Sequence, residues 1–76
     1  MGKISLTKME AGSEGSVTSI EGGHGLQARL DAMGIRPGVN ITKVSGQFMR
    51  GPIIVRVGTT QIAIGFGMAT RIIVEV

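Results

Sequence analysis

The residues able to do chemistry are few. His24 is the only imidazole, and the chain has no Cys. Thiolate-held zinc and iron–sulfur sites are therefore excluded, and so is a multi-His metal cage within one chain. Glu21 is the carboxylate nearest to His24. Such a Glu21–His24 pair supplies at most half a metal site, completed only by a second molecule. The run Gly23-His24-Gly25-Leu26-Gln27-Ala28 follows the G-x-G-x-x-A pattern of dinucleotide-binding turns. The acidic residue needed about 20 positions further on is missing, because no Asp or Glu lies near Lys43. These glycines are therefore read as a sharp entry into a helix. No G-x-x-x-x-G-K-[ST] occurs, so the chain is not itself a P-loop GTPase.

Catalysis has no other foothold. There is no Gly-x-Ser-x-Gly elbow, and the single His would have to serve any triad. Asp31 is the only Asp, and Glu10, Glu14, Glu21 and Glu75 are scattered. No carboxylate dyad is suggested, so no enzyme and no cofactor are expected. Two apolar segments remain. Gln47-Phe48-Met49-Arg50-Gly51-Pro52 joins two expected strands, and Phe66-Gly67-Met68 forms a second apolar loop. Each either plugs a barrel end or offers a contact patch, since aromatic, Met and Arg side chains are enriched at interfaces.

The elements that must position these residues are short. Glycines recur at close intervals from Gly12 to Gly67 and leave no room for long helices. Strands are expected over Ser16–Ile20, Val39–Val44, Ile53–Val57, Thr60–Ile64 and Arg71–Val76. Gly58-Thr59 turns a β-hairpin between the third and fourth of these. The near-continuous apolar run of the last strand suggests burial on both faces or pairing at a barrel seam. One helix is expected over Gly25–Met33, with Leu26, Leu30 and Met33 on its inward stripe. Gly34 is placed to end it in a left-handed conformation, and Pro37 prevents its resumption. The fold class is mainly β: a small SH3-like barrel of about five short strands with one short helix, as edge closure favours. An OB-fold is the alternative.

With 76 residues, 13 of them Gly, the chain is one small domain. Its net charge is +3, but the eight basic residues are spread evenly, and the only aromatics are Phe48 and Phe66. Clustered charge or stacking rings would mark a nucleic-acid binder, so nucleic acid is not expected as a partner. No apolar run is long enough to span a membrane, and the N-terminus lacks the apolar stretch of a signal peptide. A cytoplasmic protein is the expectation.

The assembled pattern resembles the FeoA family. Ser5-Leu6-Thr7-Lys8-Met9 with Ala11-Gly12-Ser13-Glu14-Gly15 is similar to the opening of FeoA domains. Leu30-Asp31-Ala32-Met33-Gly34-Ile35-Arg36-Pro37-Gly38 resembles the most recognisable segment of that family, a Met-Gly pair followed by a Pro-Gly turn. Gly51–Gly58, Ile62–Gly65 and Ala69–Val74 resemble its later strands, so the likeness covers nearly the whole chain, read as one FeoA-like domain over residues 1–76. Many relatives carry charged residues just before the final strand. Here Gly65-Phe66-Gly67-Met68-Ala69-Thr70 stands there, followed by Arg71 alone.

The resemblance implies an SH3-like barrel acting as a cytoplasmic accessory of ferrous iron uptake. It would regulate the FeoB transporter by contact with its GTPase region or with the cytosolic face of its membrane domain. The membrane is then reached only through that partner. The contact surface is expected at His24, Leu26, Arg29 and Met33, with Phe48, Met49 and Arg50 across from them. Two alternatives stand beside this reading. One is a basic β-barrel that binds nucleic acid, suggested by a sequence pI of about 10.2. The other is an oligomeric divalent-metal sensor, related to the C-terminal domain of DtxR-like repressors, that pools His24 and Glu21 between chains. Weak self-association is compatible with an exposed Phe48 or Phe66.

Overall fold

The computed structural model describes residues 2–45 and 51–76. In chain order the elements are β1 (Lys3–Ser5), a 3-10 turn (Leu6–Lys8), β2 (Glu14–Ile20), α1 (His24–Ala32) and β3 (Asn40–Ser45). They continue with β4 (Ile53–Val57), β5 (Thr60–Ile64), α2 (Phe66–Ala69) and β6 (Ile72–Glu75). Among the described residues the strands form one antiparallel sheet in the order β1-β6-β2-β3-β4-β5.

Period-two alternation explains most of the interior. On β4, Ile53 and Val55 are buried while Arg56 is exposed. Strand β2 departs from that rule. Val17 and Ile20 are three residues apart, a spacing that would place them on opposite faces of a regular strand. A register shift between Val17 and Ser19 resolves this: Val17 faces Val74, Ile20 faces Ile72, and all four are buried.

Helix α1 lies on this core through Leu30, which is fully buried, with Leu26 and Met33 half-buried beside it. Its C-terminus is closed by paired backbone bonds. Gly34 N–H donates to Asp31 O at 2.9 Å, and Ile35 N–H donates to Leu30 O at 2.9 Å. Gly34 sits at φ +87°, the left-handed cap, and the flanking Leu30 and Ile35 are both fully buried. This is the Schellman arrangement with its apolar clasp.

The expected barrel is present, with differences. A strand absent from the sequence reading, β1, pairs with β6. It is only three residues long, too short for a periodic signal, and its partner lies at the other end of the chain. The segment Phe66-Gly67-Met68, expected as a loop, begins the short helix α2; Phe66 and Met68 are half-buried and Ala69 is fully buried. The last strand does not bury both faces. Ile72 and Val74 are buried, Ile73 is half-buried and Glu75 is exposed, while the strand lies between β1 and β2. Helix α1 begins at His24, one residue earlier than expected, and Met33 caps it.

Candidate functional site

A groove of about 550 Å³ runs between β2, α1 and the turn that follows the helix. Thr18, Ser19 and Ile20 of β2 form one wall, and His24, Gln27, Ala28 and Asp31 of α1 form the other. Ile35, Arg36 and Pro37 close one end. Its volume lies within the range typical of ligand clefts.

Local chemistry fixes these walls. The chain leaves β2 through Glu21, whose N–H donates to Arg71 O at 2.7 Å. Gln27 reaches back across the first helical turn, and its Nε2 donates to Gly22 O at 3.2 Å and to Ile20 O at 3.5 Å. Helix α1 is thereby tied to the end of β2. At the far end Arg36 Nε donates to Asp31 Oδ1 at 2.6 Å, and Arg36 Nη2 lies 3.4 Å from Asp31 O. Both side chains of this ion pair are more than half exposed, at 54% and 58%. The groove thus combines exposed Ala28 and Pro37, over buried Ile20 and Ile35, with an imidazole, an amide and a surface ion pair.

The residues singled out from the sequence fall into three groups. His24 lines the groove and is exposed. Leu26 and Met33 pack against the core, and Arg29 is exposed on α1 away from the groove lining. Phe48, Met49 and Arg50 lie outside the described residues. Glu21 is exposed at the start of the β2–α1 connection. No cluster of three or more His, Cys, Asp or Glu able to hold a metal occurs among the described residues. Sequence reasoning missed Gln27, Asp31 and Arg36 as groove residues. The signal was present in Asp31 and Arg36, which bracket the Met-Gly turn, but only the Schellman reversal brings them together.

A second polar feature lies inside the barrel. Lys43 of β3 is 3% exposed, and its Nζ donates to Met9 O at 2.6 Å and to Thr7 O at 3.2 Å. Burial pushes this ammonium below its ordinary value of 10.5. Its backbone is engaged on the same side: Gly12 N–H donates to Lys43 O at 2.6 Å, and Lys43 N–H donates to Ser13 O at 3.0 Å. Lys43 therefore secures the amino-terminal turn to the barrel and is no part of the groove.

The antiparallel sheet wrapped around a single core, with one short helix across it, defines the chain as a mainly β, SH3-like barrel protein. Comparison with known proteins narrows this. The FeoA domain family matches residues 4–76. A curated protein of Methanocaldococcus jannaschii, provisionally named Fe(2+) transport protein A, is 39% identical over 70 residues, covering 92% of this chain and 83% of that protein. The crystal structure of an iron uptake regulatory protein, FeoA, superposes with a TM-score of 0.88 at 37% identity, over 99% of this chain and 97% of the other. Stenotrophomonas maltophilia FeoA, a procaryotic SH3 domain protein solved with zinc, superposes with a TM-score of 0.81 at 25% identity, over 95% and 89%. The chain belongs to the FeoA family, which is involved in ferrous iron transport.

Proposed function

We propose that this protein is a cytoplasmic accessory of ferrous iron uptake that regulates a FeoB-type transporter by direct protein contact. The observation that carries this reading is the groove along α1, with the exposed Asp31–Arg36 pair at its mouth and His24 on its wall. Family membership supports the process, and the groove offers an exposed surface that combines apolar and charged groups. Apolar lining contributes affinity, while the ion pair and imidazole select orientation.

The test is a binding titration of the folded protein against the separate GTPase region and membrane region of the transporter. Binding to one of them is expected, with Arg36→Glu weakening it tenfold or more and Arg29→Glu leaving it nearly unchanged. Circular dichroism establishes that each variant is folded. No binding to either region, or equal weakening by both variants, overturns the reading. Arg36 suits this test because an exposed ion pair contributes at most about 1 kcal/mol to stability.

A further inference from the structure

On the face of the sheet turned away from the core, Arg56 of β4 is exposed between Thr42 of β3 and Gln61 of β5. It is the only charged residue of the β4–β5 hairpin, residues 53–64. Among the described residues it makes no ion pair and no side-chain hydrogen bond. Glu14 stands in the same row, beyond Thr42, and leaves the guanidinium unpaired. The chain as a whole carries +3. This part of the surface therefore favours a negative neighbour.

Beside Arg56 runs an open edge. Strand β5 pairs with β4 alone. Val57 and Thr60 flank the two-residue turn Gly58-Thr59, and such a flanking pair exchanges backbone hydrogen bonds. Bonding alternates from there. Thr60, Ile62 and Ile64 bond to β4, while Gln61 and Ala63 turn their N–H and C=O groups outward. Among the described residues no hydrogen bond reaches those outward groups. Charge, Pro and bulges normally blunt an edge, and β5 has none of them. Ile62 is half-buried on the inner side of this edge. On the outer side Ala63 is small and exposed, and Ile54 behind it is only half-buried.

We infer that the β5 edge is a docking site for an extended acidic segment of a partner protein, paired antiparallel with residues 61–63. Charge selects this occupant. A residue opposite Gln61 shares the outer face with Arg56, two strand spacings away, or about 9–10 Å. An aspartate or glutamate there meets the unpaired guanidinium, and the positive chain steers it in. A lysine there meets repulsion. A second copy of this chain is a poor occupant, because its β5 supplies no acid and its own Arg56 adds positive charge. The adjoining positions call for apolar side chains. One opposite Ile62 covers it on the inner side, and one opposite Ala63 lies over Ile54 on the outer side. Along the partner chain the recognised order is apolar, apolar, acidic, with the backbone bonded to Gln61 and Ala63.

The experiment titrates the full chain at low salt with short synthetic peptides whose centre is two valines followed by a glutamate. Binding is expected, and replacing the glutamate by lysine should weaken it severalfold. Arg56→Glu should reverse that preference, with circular dichroism establishing the fold. Ala63→Pro removes an outward N–H at a position where edge Pro is tolerated, and should weaken every peptide. The peptide backbone supplies a check that needs no protein variant. Methylating the glutamate nitrogen, whose N–H donates to β5, should abolish binding, while methylating the preceding nitrogen, which points away, should not. No binding, equal binding of the glutamate and lysine peptides, or indifference to the methylated glutamate overturns the proposal. Sedimentation showing a dimer that Ala63→Pro dissolves also overturns it, by assigning the edge to a second copy. Residues 61–63 are no part of the groove, so these outcomes do not depend on transporter binding there.

Discussion

At the scale of single residues, Lys43 shows how a charge can serve structure. Its ammonium is buried beneath the amino-terminal turn and bonds two backbone carbonyls, those of Thr7 and Met9. Because burial lowers its pKa, the unfolded chain binds more protons than the folded one between that lowered value and 10.5. Stability contributed by this residue should therefore rise with pH across that window. Below the window both states are charged and the burial cost stands in full. Urea melts of the protein and of Lys43→Met, from neutral to alkaline pH, should show the protein gaining on the variant as pH rises. A pH-independent difference would contradict this assignment. At neutral pH the variant should lose about 1–3 kcal/mol, the cost of leaving buried carbonyls unpaired.

Gly15 belongs to the same scale. A Cβ at this position would lie 2.9 Å from Glu75 O and 3.2 Å from a methyl of Val76. The nearer atom is backbone, so β6 itself would have to move. Gly15→Ala should destabilise by about 1–3 kcal/mol, as overpacking does, with the loss visible as a lower urea midpoint. In the sequence this glycine is one of several that recur at close intervals. Its real constraint is the approach of a strand some sixty positions away.

At the scale of elements, α1 is short and has no side-chain hydrogen bond at its amino-terminal cap, Gly23. A helix of nine residues does not persist alone in water, so it depends on its packing and on its carboxy-terminal clasp. Leu30 is fully buried and meets both requirements, lying in the core and accepting the hydrogen bond of Ile35. Leu30→Ala should cost about 2–5 kcal/mol in thermal or urea unfolding. Loosening α1 also opens the groove wall. Much of this element was legible beforehand. The stripe of Leu26, Leu30 and Met33 marked its inward face, and Gly34 marked its end. The groove was not legible, because Thr18 and Arg36 line one cavity only once the chain reverses at Gly34.

At the scale of the whole molecule, order along the chain and order in the sheet diverge. The last strand, β6, lies between β1 and β2, so residues from both ends of the chain form adjacent ladders. Removing residues 72–76 takes out an interior strand together with the buried Ile72 and Val74. The shortened chain should be unfolded, with collapsed amide dispersion in NMR and no cooperative melt. A folded truncated chain would show that β6 is dispensable to the core. The absence of disulfides makes this dependence sharper, because a small domain has little other reserve of stability.

By itself, the sequence determined the local features of this protein. Alternation marked β4 and β5, Gly58-Thr59 marked their hairpin, and Gly34 marked the end of α1, because each signal acts between residues close in the chain. The scarcity of His and Cys also set which chemistries one chain could host. Tertiary structure alone decided the remaining features. It placed the three-residue β1 against β6, absorbed the odd spacing of Val17 and Ile20 in a bulge, and turned Phe66–Ala69 into a helical turn. It buried Lys43 and brought β2, α1 and Arg36 together around one groove. Those outcomes depend on contacts between distant residues, whose geometry follows from packing the whole chain around one core.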